Sequence, residues 1–289
     1  MMTRRTFLKR ALWATAGASY AGVYPALVEP HRVQVSRLRL AIPNLPRALE
    51  GFAVAHLTDL HRSPFVSERY LHHCINVANA LEPDLIAFTG DYITHGMHFR
   101  NQLYKGDINL GDPAEYLDEC SRCMGRARAK HGVFASLGNH DHWYDGDRVT
   151  SAIEAAGIPV LRNQNVSVNV NGESLPVVGL GDLYTEGVDF QRSFADIDSA
   201  FSLVLMHNPD SFAGWSRTGA HLILAGHTHG GQVNIPLLGS PITPSRFMQG
   251  IFSHDYTTMY VNRGIGLIFP PLRINCPPEI ALIELRRSG

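Results

Sequence analysis

Five short apolar runs in this chain each lead into side chains that bind metals, and that repetition narrows what the chain can fold into. The runs are Phe52-Ala53-Val54-Ala55, Leu85-Ile86-Ala87-Phe88, Val133-Phe134-Ala135-Ser136-Leu137, Leu203-Val204-Leu205 and Leu222-Ile223-Leu224-Ala225. After them come Asp59-Leu60-His61, Gly90-Asp91, Gly138-Asn139-His140-Asp141, Met206-His207-Asn208 and Gly226-His227-Thr228-His229. Runs this short and this rich in branched residues read as strands buried on both faces. Polar residues at the ends of several neighbouring strands gather along one edge of a sheet, where α/β proteins place their sites. The pattern predicts an α/β fold with a metal centre at the carboxyl edge of its strands.

Without His140 and Asp141, the five segments pool two Asp, one Asn and four His. One tetrahedral zinc takes four ligands, or three and an open position, so seven ligands exceed a single site. They suit two ions that share a carboxylate and leave room for water and substrate. Mixed carboxylate, amide and imidazole donors without a thiolate suit zinc, manganese or ferrous iron. Two such ions roughly 3.5–4 Å apart can clamp the attacking and leaving oxygens of a phosphoryl displacement.

In order and wording, the segments resemble the signature of the calcineurin-like metallophosphoesterases, from about Phe52 to the C-terminus. The resemblance implies that Asp59, His61, Asp91 and His229 hold one divalent ion. It implies that Asp91, Asn139, His207 and His227 hold the other, with Asp91 bridging. His140 would be no ligand but would serve the leaving oxygen, oriented by Asp141. Asn262-Arg263-Gly264-Ile265-Gly266, with Pro277-Pro278-Glu279-Ile280 after it, resembles a subgroup of exported or membrane-associated members. That subgroup includes enzymes acting on UDP-2,3-diacylglucosamine.

The chain has 15 His, so most of them need a plainer reading. His72-His73 falls in a predicted helix and reads as solvated surface; His56 reads as a core residue or a support for a ligand. His31, His131 and His221 read as structural. The ligand set stands apart because glycines beside several members allow turns at positive φ and close backbone approach.

The N-terminus carries Thr3-Arg4-Arg5-Thr6-Phe7-Leu8-Lys9, then no charged residue from 11 to 28. This reads as a twin-arginine export signal or N-terminal anchor over residues 1–30, ahead of one domain over 36–289. The triplets at 14–16 and 16–18 have the small-residue form of a cleavage site. The apolar stretch is close to the roughly 20 residues a span needs. Partners expected on this reading are the twin-arginine machinery, the membrane through the N-terminus, and a periplasmic or outer-face location. A formal charge of −1, with arginines clustered only at the two ends, gives no nucleic-acid footprint.

Apolar residues at 45% and charged residues at 18% permit a full core. Residues 36–42 read as a strand, 67–81 as a helix capped by Ser67, 113–130 and 147–156 as further helices. Residues 166–170 and 175–180 read as a hairpin around Asn171-Gly172. Residues 232–235, 258–261 and 280–285 read as late strands. Elements so interleaved suit a four-layer α-β-β-α sandwich of two mixed sheets flanked by helices. Cys120-x-x-Cys123 reads as a surface pair or local disulfide in preference to a redox site. Residues 94–111 read as a polar loop over the site. Trp143 and Tyr144 are candidates for the substrate rim, and Arg62 and Arg263 for phosphate contacts.

These readings converge on a phosphoesterase that cleaves a phosphodiester or pyrophosphate of a lipid or nucleotide-sugar, with attack by a hydroxide held between two ions. A nonspecific exported phosphomonoesterase and a silent metal-binding scaffold are the alternatives.

Overall fold

A computed structural model describes residues 3–6, 9–10, 22–94, 97–100, 105–108, 110–215, 220–241 and 245–288. The cleavage-like triplets at 14–18 and most of the uncharged stretch lie outside the described residues. No helix among the described residues is long and apolar enough to cross a membrane.

Thirteen strands are described: β1 (Gln34–Ile42), β2 (Ala53–Leu57), β3 (Leu85–Thr89), β4 (Met97–Arg100), β5 (Lys105–Ile108), β6 (Val133–Ser136), β7 (Gln164–Val170), β8 (Glu173–Gly179), β9 (Phe201–Leu205), β10 (Ala220–Ala225), β11 (Gly250–His254), β12 (Thr257–Val261) and β13 (Glu279–Arg287). The helices are α1 (Glu68–Asn79), α2 (Pro113–Met124), α3 (Asn139–Ala155) and the single turn α4 (Phe190–Ser193). One sheet has the order β1-β13-β2-β3-β6 and the other β11-β12-β10-β9-β8-β7. Both are mixed. β2, β3 and β6 run parallel in the first, and β8, β9, β10 and β12 in the second.

The apolar runs are continuous because their strands are covered on both sides. Val54, Leu85 and Ala87 face the core between the sheets, together with Leu203, Leu205, Leu222 and Leu224. Their neighbours Ala55, Ile86 and Phe88 face the layer of α1, α2 and α3. Val204, Ile223 and Ala225 face a third cluster with Phe194, Phe212, Trp215 and Phe247. That outer layer is thin, built from α4, a 3-10 turn (Pro209–Gly214) and irregular segments. The expected sandwich of two mixed sheets flanked by helices is the observed architecture.

Local expectations hold where the chemistry is local. Ser67 caps α1 by accepting from the Tyr70 amide. Asn171 and Gly172 sit at φ 52° and 88°, the pair of positive values that a type I′ hairpin turn requires.

Several boundaries differ. The loop expected over 94–111 contains an antiparallel hairpin of β4 and β5. The strand expected over 232–235 amounts to two isolated bridges, Val233 with Ile274 and Ile235 with Gly239, and β11 was not expected. α2 stops at Met124, well short of residue 130. The helix expected from 147 begins at Asn139, with a break at Asp145, so the Asn139-His140-Asp141 motif forms its first turn.

Residues 24–30, which the sequence groups with the leader, pack on the domain. The Arg273 amide donates to Pro25 O, and the Cys276 amide to the buried Glu29 carboxylate. All four cysteines are buried free thiols, so Cys120 and Cys123 form neither a surface pair nor a disulfide. They lie on the apolar face of α2, packed with Leu117 and Met124 against the first sheet.

Candidate metal centre

Parallel strands bring their carboxyl ends to one edge. There the ends of β2, β3 and β6 in one sheet meet those of β9 and β10 in the other. Chain direction must change at once to keep the ligand side chains at that edge. Asp59, His61, Asp91, His227 and His229 all take positive φ, between 46° and 68°. Non-glycine residues rarely adopt that region, and its clusters mark functional sites. Gly226 permits the closest approach: a Cβ there would run into the Thr58 hydroxyl and the Asp59 carboxylate.

Every ligand predicted from the sequence is brought to this edge. His61 Nε2 lies 3.0 Å from His229 Nε2, and Asp59 Oδ1 lies 3.4 Å from His229 Nε2. On the other side His207 Nε2 lies 3.3 Å from His227 Nδ1. Asp91 Oδ2 sits between the halves, 3.5 Å from His61 Nε2 and 3.2 Å from His207 Nε2. Asp59, His61 and His229 form one group able to hold a metal; Asp91, His207 and His227 form another.

The donors fit divalent ions. Ligands bound at about 2.1 Å and at right angles lie roughly 3 Å apart, close to the nitrogen pairs seen. Burial pushes the His61 and His229 imidazoles well below their ordinary pKa, which favours the neutral rings that a metal needs as ligands. Burial likewise lowers His227 to about 4, helped by His207. Asn139 Oδ1 is buried without a partner, an acceptor that a cation satisfies. Burial raises Asp59 to about 6. Burial would raise Asp91 too, but the His207, His140 and His61 imidazoles around it together outweigh burial and hold Asp91 well below the carboxylate range. Burial alone would lower His207, but Asp91, helped by Asp59 and Asp182, lifts it to about 10. A divalent ion in that position would replace the His207 proton as the balancing charge.

Supporting contacts fix the rings, and the sequence reading missed them. His61 Nδ1 is 2.6 Å from Thr94 Oγ1, and His207 Nδ1 is 2.7 Å from Thr89 O, leaving each Nε2 for the centre. Thr58 donates to Asp59, whose carboxylate also accepts the His227 amide. The signal for Thr58 and Thr89 was their place at the last turn of strand before each motif. The glycine-rich tail wraps Asp59, with Ile265 N on Thr58 O and Gly266 N on Asp59 O. Arg273, wholly buried, grips that tail through the carbonyls of Arg263, Gly264, Gly266 and Cys276. Nothing in the sequence marks Arg273 as buried.

His140 stands at the mouth, its ring edge 4.8 Å from both His61 and Trp143 by centroid, with a buried Nδ1 that has no partner. Asp141 does not orient it. The Asp141 carboxylate accepts the amides of Asp91, Tyr92 and Gly138 and so ties the second motif to the third. The reason is position: as the third residue of α3, its side chain folds back on the helix start, as in a capping box. Burial and the nearby Asp91 push Asp141 up to about 7, against three amides that favour its carboxylate.

Of the rim candidates, Trp143 is exposed beside His140, while Tyr144 packs against the helical core under Arg148. Tyr184, not singled out from the sequence, is exposed with its ring 5.7 Å from His227. Arg62 is taken up by Glu119, the Ser63 and Val66 carbonyls and the face of Tyr116. Arg263 pairs with Glu279 at 3.3 Å. A phosphate at either arginine would compete with a carboxylate already in place.

Comparison with known proteins follows the same lines. A family profile described as calcineurin-like phosphoesterase matches residues 52–231. The chain is 31% identical to the uncharacterized metallophosphoesterase YkuE of Bacillus subtilis, over 100% of this chain and 99% of that one. It is 32% identical to the phosphodiesterase YaeI of Escherichia coli, over 99% and 100%. It is 23% identical to the UDP-2,3-diacylglucosamine pyrophosphatase LpxG of Chlamydia muridarum, over 89% and 90%.

Proposed function

We propose that this chain, which belongs to the calcineurin-like phosphoesterases, is a two-metal phosphodiesterase or pyrophosphatase acting on a lipid or nucleotide-sugar ester. Membership makes it a metal-dependent hydrolase of phosphoric esters; the number of ions, the bond and the substrate are the finer reading. One observation carries the two-metal reading: a single Asp91 carboxylate oxygen lies within 3.5 Å of histidines in both ligand groups. Asp59, His61 and His229 with Asp91 would hold one ion, and Asn139, His207 and His227 with Asp91 the other. When bound, manganese, zinc or ferrous ions would lower the pKa of a water and neutralise charge on the phosphoryl oxygens.

The chain's own groups do the rest. Thr94 and the Thr89 carbonyl hold the His61 and His207 rings in one orientation. Asp141 locks the Asp91 loop to the start of α3. His140 faces the reacting ester from the mouth and supports the leaving oxygen. Burial lowers its pKa, and a bound phosphate anion beside it would raise it again, so the proton arrives with the substrate. Exposed Trp143 and Tyr184 flank the opening and suit a base or an acyl chain.

The phosphodiesterase and pyrophosphatase relatives favour cleavage of a P–O bond at a phosphorus that carries two substituents, as in a diester or pyrophosphate, over a monoester. Bis(p-nitrophenyl) phosphate should exceed p-nitrophenyl phosphate in kcat/KM by about tenfold or more, a barrier difference of about 1.4 kcal/mol. Preference for the monoester would instead make the protein a phosphomonoesterase. Turnover of neither ester by metal-loaded protein would leave a scaffold.

Export by the twin-arginine route, to the periplasm or the outer face of the membrane, completes the reading. It rests on the exposed Arg4-Arg5 pair and the uncharged residues 11–28. Arg4→Lys with Arg5→Lys should leave folded, active protein in the cytoplasm, measured by fractionation. Undiminished export of that variant would remove this part of the proposal.

A further inference from the structure

Beside the metal centre lies a surface built almost without charge. Residues 231–245 and 264–272 contain no charged side chain, and neither do residues 11–28. Hydrogen bonds join the described parts of these three segments, directly or through Arg273 and Ile274 next to the third. The Asn234 amide donates to Ile274 O, and the Arg273 amide to Pro25 O. Gln232 donates to the carbonyls of Ile268 and Pro270.

Each segment exposes large apolar side chains: Leu27 from the first, Ile235, Leu237 and Leu238 from the second, Phe269 from the third. Leu237 is fully exposed and Leu238 is 80% exposed. Water is a poor environment for two adjacent leucines, and contiguous exposed apolar surface marks an interaction site.

The apex is built, not frayed. Leu237 takes φ 69°, which a branched residue seldom does, at the tip of a turn closed by bonds between Ile235 and Gly239. Its roots are stitched to the turn that carries the ligand His229. Asn234 Nδ2 donates to Gly230 O, and Ser240 Oγ to Gly231 O. The projection therefore leaves the same edge of the second sheet as the metal centre, and moves with it.

We propose that residues 235–238, with the exposed apolar side chains of 23–28, insert into a lipid bilayer and seat the flank of the metal centre on its surface. The choice of lipid over protein follows from charge. Protein interfaces carry a polar rim, whereas here the exposed charges that adjoin the segments in sequence are basic, Arg4, Arg5, Lys9 and Arg10 before one segment and Arg246 after another, and the acid Glu29 is buried. Apolar side chains flanked by basic ones are the pattern of an interfacial membrane contact. The inference does not depend on which phosphoester is cleaved.

The test uses the full chain with a polarity-sensitive fluorophore on Leu238→Cys, since the four native thiols are buried. The control carries it on Glu173→Cys, exposed at the opposite edge of the same sheet. Vesicles of phosphatidylethanolamine and phosphatidylglycerol should shift the emission to the blue at 238 and not at 173. Leu237→Ser with Leu238→Ser should weaken vesicle binding roughly tenfold or more, with turnover of a soluble ester unchanged. An unshifted probe at 238, or equal shifts at both positions, would overturn the proposal. A blue shift that needs no vesicles and vanishes on dilution would also overturn it, by assigning the surface to a second copy of the chain.

Discussion

Replacing Asp91 with alanine should strip the protein of both ions and of its turnover together. The expectation follows from the position of Asp91 Oδ2 between His61 and His207. Each ligand group loses a negative donor: one set then keeps only Asp59 as a carboxylate, and the other keeps none. Without ions nothing would lower the pKa of an attacking water from its bulk value of about 15.7. The loss of rate should therefore exceed the roughly 10²–10⁴-fold that one proton-transfer group supplies. Asp91 also accepts the His140 amide at 2.8 Å, so the alanine variant can disturb the start of α3. Asp91→Asn retains an acceptor there and separates the two effects. Metal content by mass spectrometry, beside a thermal melt, is the deciding measurement. A variant that keeps its fold and retains one ion in full would mean that Asp91 does not bridge.

What was legible in the sequence was what burial on two faces dictates. Val54, Leu85 and Ala87 serve one core while Ala55, Ile86 and Phe88 serve another, so their runs could not alternate with polar residues. The placement of the candidate ligands at one edge was legible for the same reason, since each follows the end of a buried run. β11 was illegible because it is an edge strand exposed along most of its length. The start of α3 was hidden because its apolar period begins only at Val149 and Ile153. Side-chain direction was the deeper gap. Asp141 follows His140 in the chain, yet its carboxylate turns back to the amides of Asp91, Tyr92 and Gly138. The spacing of a capping box, with Asp141 three residues after Gly138, was the available signal. Arg273 had none, because its partners are backbone carbonyls that any sequence supplies.

Substituting His140 should separate chemistry from metal binding. Its backbone amide, not its ring, engages Asp91, and its ring lies edge-on between His61 and Trp143. Its Nδ1 has no partner among the described residues, so the ring can serve a ligand at the mouth. If it assists the leaving oxygen, His140→Ala or His140→Asn should keep both ions and the melting temperature. Turnover of an ester with an alkyl leaving group should fall roughly 10²–10⁴-fold. The deficit should shrink for p-nitrophenolate, which departs without a proton, and that dependence on the leaving group is what a merely structural role would not produce. His140 also lies within reach of His61 and Asp91 as a third group able to hold a metal. Loss of an ion in His140→Asn would make it a ligand, with the rate then falling alike for good and poor leaving groups. Near-normal turnover of the alkyl ester, with both ions present, would place the proton donor elsewhere in the cleft.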